Sequence, residues 1–248
     1  MKVVSVVNRK GGVGKTATVQ NLAAYLQKRG KKVLVIDLDS QTNLTFSYGA
    51  EPSDIMEILE GEKDAAENIQ HTACGDIIPA SANLSNAEKI LDGTGREYKL
   101  KEALEDITGY DYVLIDTPAA LGVLTINALT VSDSVIIPVQ ADYYSLQGLS
   151  QIKEVITNVQ KYTNPDLKVD GILLTRYNRI ASLSKAIKEA LENNKTMFDT
   201  TVFKTPIREC ITIKETSGVQ KSVFEYAPKS NAALDYANFG DEFIERTK

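Results

Sequence analysis

Residues 3–16 read VVSVVNRKGGVGKT, a short apolar run followed by a glycine-rich loop that ends in Lys-Thr. The apolar run, Val3–Val7, predicts a buried strand, and the residues from Lys15 onward predict a helix. A glycine-rich loop between a strand and a helix is the setting of a phosphate-binding loop, or P-loop. Its glycines let backbone N–H groups approach phosphate oxygens, and the start of the helix adds partial positive charge.

The same loop predicts contacts to ATP and its Mg²⁺. Lys15 would reach the β- and γ-phosphates, and the Thr16 hydroxyl would ligate Mg²⁺. The strict pattern GxxxxGK[ST] is not met, because Arg9 stands where the first glycine belongs. The loop follows instead a deviant pattern with an extra lysine, Lys10, ahead of the glycines. The predicted nucleotide-binding residues of this segment are Lys10, Gly11, Gly12, Val13, Gly14, Lys15, Thr16 and Ala17.

Acidic side chains follow two other apolar runs. Asp37-Leu38-Asp39 comes after Val33–Ile36, and Asp116 comes after Tyr112–Ile115. In the first group, one carboxylate would support Mg²⁺ through water and the other would orient the attacking water. In isolation such an Asp pair is more commonly a helix N-cap, but beside a P-loop we favour the catalytic interpretation. Asp116 ends a Walker-B pattern, an apolar strand whose terminal carboxylate holds Mg²⁺.

Apolar, β-branched runs alternate with helical patterns along the whole chain. This alternation predicts βαβ units, and thus an α/β fold with a mostly parallel twisted sheet flanked by helices on both faces. No linker or repeat interrupts it, so we expect a single P-loop ATPase domain over residues 1–248. The predicted strands are Val3–Val7, Val33–Ile36, Asp76–Pro79, Tyr112–Ile115, Ser134–Val139 and Val169–Thr175. The predicted helices are Lys15–Arg29, Tyr98–Ile107, Leu146–Lys161, Ile180–Asn193 and Asn231–Glu245.

The distribution of charge along the chain indicates whether the protein could bind nucleic acid. The 248 residues carry a formal net charge of -5, which argues against a simple basic nucleic-acid binder but leaves room for a local basic face. Between residues 176 and 221, nine basic side chains stand against five acidic ones. Each of these cations also fits an ordinary solvated surface position. The candidates for DNA contact are Arg176, Arg179, Lys185, Lys188, Lys204, Arg208 and Lys214.

Other features narrow the class of protein. Cys74 and Cys210 lack the spacing of a metal site and predict reduced thiols in a cytoplasmic protein. No apolar stretch approaches the roughly 20 residues of a membrane span. The segment from Ala232 onward carries few cations and little apolar surface, so we expect no membrane-surface helix there.

At the P-loop and the two acidic segments the chain resembles the ParA/MinD group of deviant Walker-A ATPases, and within it the ParA (Soj-type) partition ATPases. The resemblance covers almost the whole length. It departs from the family at Ser40 and Thr42, where the family usually has Pro and Gly, and at Thr212, where many chromosomal members carry an arginine for DNA. The matching segments are Lys10–Thr16 and residues 37–43, 116–118, 124–128, 138–140, 143–149 and 226–230.

The resemblance implies roles for individual residues. Lys10 would be the signature lysine that reaches the partner's phosphates across a dimer interface, and Asp39 would position the hydrolytic water. Asp116 would be the Walker-B acid. The expected metal-site residues are Thr16, Asp37 and Asp116. The expected catalytic residues are Lys10, Lys15 and Asp39. The adenine would lie near Asn178, Pro206 and Arg208.

Three functions remain open for such an ATPase. The first is a partition switch, a nucleoid-associated protein that forms an ATP-bound homodimer, binds duplex DNA nonspecifically and is released when a ParB-like partner stimulates hydrolysis. The second is a MinD-like membrane-surface switch, which the acidic ending Asp241–Lys248 disfavours. The third is an ATP-dependent metabolic enzyme on the same fold, for which the sequence offers no added acceptor domain. We favour the first, with slow basal turnover.

Overall fold

The computed structural model describes residues 1–193 and 200–247. Seven strands form one sheet in the order β3-β4-β2-β5-β1-β6-β7. Neighbouring strands are parallel throughout, except that β3 runs antiparallel to β4. The strands are β1 (Lys2–Val6), β2 (Val33–Asp37), β3 (Gln70–Thr72), β4 (Gly75–Ile78), β5 (Tyr112–Asp116), β6 (Ser134–Gln140) and β7 (Lys168–Thr175).

Helices cover both faces of this sheet, which confirms the predicted fold class. The α-helices are α1 (Lys15–Lys28), α2 (Asn43–Ser47), α3 (Ile55–Leu59), α4 (Ala87–Ile90), α5 (Lys99–Ala103), α6 (Val123–Val131), α7 (Tyr143–Tyr162), α8 (Ser182–Asn193), α9 (Ile211–Gly218), α10 (Val223–Tyr226) and α11 (Asn231–Arg246). None of the helices described is both long enough and apolar enough to cross a membrane.

The core forms on both faces because alternate residues of each strand point to opposite sides. On one side Val4 and Leu114 pack with residues of α1 and α11. On the other side Val3 and Val113 pack with residues of α3, α5 and α6, and the parts of β6 and β7 on that side pack with α7 and α8. Burial on both faces explains why these strands read as nearly continuous apolar runs.

The six predicted strands are confirmed, and each bound agrees within one residue. The edge strand β3 was not predicted, because its three residues are polar and partly or fully exposed. The predicted helix Tyr98–Ile107 is wrong in extent: a 3₁₀ turn at Arg96–Tyr98 leads into the single short helix α5. Helix α6 was missed because nearly all of its residues are buried, which removes the amphipathic period that marks a surface helix.

Candidate nucleotide-binding site

The P-loop is tied to two neighbouring strands by side-chain hydrogen bonds. The Asn8 amide donates to the Pro138 carbonyl oxygen of β6 at 2.6 Å, while its own Oδ1 accepts from the Lys10 backbone N–H at 2.9 Å. At the other end of the loop, the Thr175 hydroxyl of β7 donates to the Val13 carbonyl oxygen at 2.7 Å. These buried contacts fix the loop above the carboxyl ends of β1, β6 and β7.

Backbone conformation explains the glycines of the loop. Gly12 has φ 72° and Gly14 has φ 93°, the left-handed region that side chains with a Cβ rarely adopt. Helix α1 begins at Lys15 without a side-chain cap, so the N–H groups of its first turn are free to bind an anion. Gly11, Val13, Thr16 and Ala17 complete this segment, as the sequence predicts.

Lys15 lies largely buried at the start of α1. Burial lowers the pKa of its ammonium, and the nearby carboxylates of Asp116 and Asp39 act in the opposite direction. A buried ammonium that faces two carboxylates is arranged to bind a phosphate with little competition from water.

Asp116 carries the feature that best marks a metal position. The Thr16 hydroxyl donates to its Oδ2 at 2.6 Å. Among the buried side-chain nitrogen and oxygen atoms of the described residues, Asp116 Oδ1 is the one without a hydrogen-bond partner. Burial raises the pKa of Asp116 well above its ordinary 3.8, and the charge of Asp37 adds to this effect. A buried carboxylate with an unused oxygen is expensive in the free protein and fits a cation.

The residues present also fit the kind of cation that the sequence predicts. Within residues 1–193 and 200–247, no group of three or more His, Cys, Asp or Glu side chains could hold a metal without other ligands. Mg²⁺ is usually held by one or two carboxylates, hydroxyls, water and the phosphates of the nucleotide. Asp116 and Thr16 supply that partial set.

Asp37 is the register partner of Asp116 on the neighbouring strand β2. Unlike Asp116, it has hydrogen bonds at both oxygens. Its Oδ2 accepts from the Thr45 backbone N–H and hydroxyl at 2.9 and 2.8 Å, and its Oδ1 accepts from the Asp39 N–H at 3.0 Å. Burial raises the pKa of Asp37 to about 6, although these hydrogen bonds act to lower it.

Asp39 is half-buried on the loop beyond β2, and its Oδ1 accepts from the Gln41 N–H at 3.1 Å. The same loop contains Thr42, which adopts φ 53°. This is the position where the family usually has Gly, and the backbone keeps the left-handed conformation although a β-branched residue occupies it. The carboxylate of Asp39 lies near enough to Lys15 for its charge to raise the pKa of that ammonium.

Lys10 does not point into open solvent. Its ammonium contacts the carboxylate of Asp142, which caps the N-terminus of α7 through Ser145. Burial pushes the pKa of Asp142 upward, but hydrogen bonds from Lys10 and Ser145 outweigh it and leave the pKa below its ordinary value. Arg9 contacts Gln151, one further residue of the same helix.

A cavity of about 300 Å³ lies directly beside the P-loop. Residues of the P-loop and of the segment that precedes α9 both line it, and its size suits a planar base. Arg208 lines it, whereas Asn178 and Pro206 do not. The contact of all three residues with the adenine stays a prediction. The lining residues are Gly12, Val13, Gly14, Ala17, Thr175, Arg176, Ile207, Arg208, Glu209, Cys210, Ile213, Lys214 and Tyr236.

The lining residues Cys210, Ile213 and Tyr236 have no sequence signal of their own. They come from α9, its N-cap and α11, which are far from the P-loop along the chain. Only the topology of the sheet brings them to this cavity, so no local motif could have identified them.

The cations proposed for DNA contact fall into two groups. Three of them pair with carboxylates: Arg208 with Asp235, Arg176 with Glu209 and Lys188 with Glu192. The pairing of Arg208 is the strongest, because Nε and Nη2 donate to the two oxygens of the buried Asp235 at 2.7 and 2.6 Å. Hydrogen bonding to Asp235 raises the pKa of Arg208.

The remaining candidates are exposed and form no ion pair with any residue in the described part of the chain. Their ammonium and guanidinium groups are therefore free to meet a polyanion. They are Arg179, Lys185, Lys204 and Lys214.

Comparison with known proteins gives a consistent assignment. The family model AAA_31, described as an AAA domain, matches residues 1–169. The sporulation initiation inhibitor protein Soj of Bacillus subtilis is 41% identical over 249 residues, covering 97% of each chain. The chromosome partitioning protein ParA of Myxococcus xanthus is 34% identical over 253 residues, covering 99% of this chain and 88% of the relative.

A solved structure from Mycobacterium smegmatis, named cobyrinic acid a,c-diamide synthase with bound ATP analogue and magnesium, is also similar. It is 35% identical with a TM-score of 0.87, covering 100% of this chain and 96% of that one. The P-loop geometry, the parallel sheet and these full-length similarities agree. The chain therefore belongs to the AAA-domain family matched by AAA_31 and, within it, to the ParA/Soj-type partition ATPases.

Proposed function

We propose that this partition ATPase is a nucleotide-controlled switch whose ATP-bound state binds DNA and whose hydrolysis releases it. The chain binds ATP and Mg²⁺, and similar solved structures hold ADP or an ATP analogue together with magnesium. The observation that carries the proposal is the pairing of Thr16 with Asp116, whose second oxygen is unpartnered, at the start of a P-loop helix. This arrangement fits a metal-bound nucleotide. The DNA part of the proposal is supported by the exposed cations Arg179, Lys185 and Lys214, which form no ion pair within the described residues.

Each residue of the site has a distinct task in this proposal. Lys15 and the N–H groups of the P-loop bind the phosphate oxygens and stabilise the charge that develops on them. Asp39 orients the attacking water. Thr16 and Asp116 would hold Mg²⁺, with Asp37 beside them, and when bound Mg²⁺ would neutralise phosphate charge. No protein nucleophile is required, so catalysis rests on positioning and electrostatics.

The switch requires a second copy of the chain. In the ATP state, Lys10 of each protomer would reach the phosphates bound by the other, which makes nucleotide state and dimerisation interdependent. The dimer would present two sets of exposed cations, among them Arg179, Lys185 and Lys214, to duplex DNA. Binding through phosphate contacts is nonspecific and weakens steeply with salt.

Release would depend on a further protein. A P-loop ATPase without its activator turns over slowly, because the catalytic groups are incompletely placed. We expect weak basal hydrolysis that rises when DNA and a ParB-like centromere-binding protein are both present. Association with the nucleoid would then last as long as the bound ATP. Fast hydrolysis by the isolated chain would argue against a switch.

The decisive experiment measures retention of duplex DNA with ATP, with ADP and without nucleotide, over a range of salt concentrations. The wild type is compared with Asp39→Ala, which should trap the ATP state, and with Asp106→Ala, a matched change at an exposed carboxylate. ATP-dependent binding that persists in Asp39→Ala and falls with salt is expected. Absence of DNA binding in every state, with a dimer still forming, would refute the partition switch but leave the ATPase.

A second candidate function is the formation of amide groups on cobyrinic acid with use of ATP. It is favoured by the name of the similar M. smegmatis structure, cobyrinic acid a,c-diamide synthase with bound ATP analogue and magnesium. It predicts phosphate release that depends on cobyrinic acid and an ammonia source, with no effect of DNA. The same phosphate assay, run with these compounds instead of DNA, separates the two functions.

A further inference from the structure

Thr45, in the short helix α2, lies outside the P-loop but makes three buried hydrogen bonds to neighbouring segments. Its backbone N–H and hydroxyl both donate to Asp37 Oδ2, at 2.9 and 2.8 Å. The same hydroxyl oxygen accepts from the Ala80 N–H, just after β4, at 2.9 Å. Thr45 is 1% exposed, so water cannot replace these contacts.

The other oxygen of Asp37 continues this connection toward the site. Asp37 Oδ1 accepts from the backbone N–H of Asp39 at 3.0 Å. A continuous line of hydrogen bonds thus runs from Ala80 through Thr45 and Asp37 to Asp39. Beyond this contact, Asp39 lies on a loop, and its carboxylate is held by the Gln41 N–H alone among the described hydrogen bonds. The Asp39 carbonyl oxygen also accepts from the Thr42 N–H at 2.9 Å, so Asp37 is one of the contacts that set the position of Asp39.

The contrast with Asp116 shows that the two neighbouring carboxylates serve different purposes. Asp116 accepts one hydrogen bond and leaves Oδ1 unused. Asp37 uses both oxygens for contacts within its own chain, and three donors converge on it. A carboxylate surrounded by donors is fixed in orientation, whereas one with an unused oxygen is available to a ligand.

We propose that Thr45 is a positioning residue for ATP hydrolysis: it fixes the Asp37 carboxylate, which in turn places Asp39 for the attack of water. This inference rests on the proposed ATPase function and deepens it. Loss of the Thr45 hydroxyl removes one of the three hydrogen bonds on Asp37 and leaves the Ala80 N–H unpaired, although the Thr45 backbone N–H still donates to Asp37 Oδ2. Asp37, and with it the N–H of Asp39, is then held less firmly, while the P-loop still binds nucleotide. Hydrolysis should suffer and nucleotide binding should not.

The test compares Thr45→Ser with Thr45→Ala, two side chains of similar size that differ by the hydroxyl. The single-turnover rate of phosphate release, with DNA and activating partner present, is measured separately from the affinity for a fluorescent ATP analogue with Mg²⁺. Thr45→Ala should slow hydrolysis by about 10- to 100-fold, the scale expected when a reacting group is displaced by about 1 Å. Its nucleotide affinity should change by less than about threefold, and Thr45→Ser should retain a rate within about twofold of the wild type.

Three results would overturn this role for Thr45. These are wild-type rates in Thr45→Ala, a parallel loss of rate and affinity in that variant, or a loss in Thr45→Ser as large as in Thr45→Ala. Thermal unfolding of each variant is recorded, and Thr45→Val, which keeps the shape of threonine, replaces alanine should the smaller side chain unfold the protein. Absence of hydrolysis by the wild type under the same conditions would instead refute the ATPase function, so the two failures are distinct.

Discussion

The ammonium of Lys10 contacts the carboxylate of Asp142, and this ion pair joins the P-loop to the first turn of α7. The lysine proposed to reach a partner's phosphates is therefore engaged within its own chain. Formation of the ATP dimer would have to break this contact. The ion pair is partly exposed, so its contribution is modest and the exchange is feasible.

Replacement of Asp142 by Asn should favour the dimer. Asn keeps the N-cap of α7, because its side-chain oxygen still accepts from the Ser145 N–H, but it removes the charge that holds Lys10. The ATP-dependent dimer should then form at about threefold to fivefold lower protein concentration, corresponding to roughly 1 kcal/mol. Analytical ultracentrifugation with ATP and with ADP measures this. Weaker dimerisation would mean that Asp142 holds Lys10 in its working position.

Replacement of Thr42 by Gly should stabilise the protein. Thr42 has φ 53°, a conformation that is unfavourable for a β-branched residue and open to glycine. Glycine increases the entropy of the unfolded chain, which opposes this gain by about 0.4 to 1 kcal/mol, so we expect a net increase of about 1 kcal/mol in the free energy of unfolding. Urea denaturation measures the change, with Thr42→Ala as the control that keeps the strain. Equal stability of the Gly and Ala variants would contradict this explanation.

Arg208 and Lys214 should respond differently to replacement by Ala. Arg208→Ala removes the guanidinium from the buried Asp235 and leaves it the backbone N–H of residue 208, so we expect a cost of about 3 kcal/mol of stability, the lower end of the range for a broken buried ion pair. Lys214 is exposed, and its replacement should change stability by about 0.5 kcal/mol or less while weakening DNA retention. Thermal unfolding and DNA retention are measured on both variants. Normal stability with lost DNA binding in Arg208→Ala would instead place that side chain on DNA.

Asp170 should make stability depend on pH. Burial raises the pKa of Asp170 above its ordinary 3.8, although Ser134, Lys2 and Arg246 act to lower it. The folded state therefore binds a proton more tightly than the unfolded state, so this group stabilises the protein less as pH rises above about 3.8.

Asp170→Asn removes this dependence. The melting temperature of the variant should rise relative to that of the wild type as pH increases from 4 toward 7. Thermal unfolding of both proteins across this range measures the difference, and Asp106→Ala serves as a control at an exposed carboxylate. A difference in melting temperature that stays constant with pH would show that Asp170 does not titrate in this way.

Much of the fold could be predicted from sequence because its strands are buried on both faces. Runs such as Val33–Ile36 and Ser134–Val139 are short, apolar and bounded by polar residues, so type and limits are both visible. Helix α6 is short and buried on nearly all sides. Its apolar residues therefore do not recur at the helical spacing that would distinguish it from a strand. The edge strand β3 is polar and depends on its pairing with β4.

Part of the candidate site could likewise be predicted from the sequence, and part of it could not. Lys10–Thr16 and the acidic strand ends were predictable because local sequence determines their conformation, and parallel topology brings strand ends together. The contacts Lys10–Asp142 and Thr45–Asp37 were not predictable, since each joins segments whose proximity follows from tertiary packing. The engagement of Arg208 by Asp235 is of the same kind, and a count of basic residues could not reveal it.

The hydrogen bond from the Thr175 hydroxyl to the Val13 carbonyl oxygen spans 162 positions of the chain. During synthesis the P-loop leaves the ribosome early, but its last support arrives only when β7 has emerged and paired with β6. A nascent chain that ends before β7 thus contains every residue of the P-loop but lacks the hydrogen bond from Thr175 that supports the loop. Tight ATP binding should therefore require that translation has passed this strand and that the strand has joined the sheet.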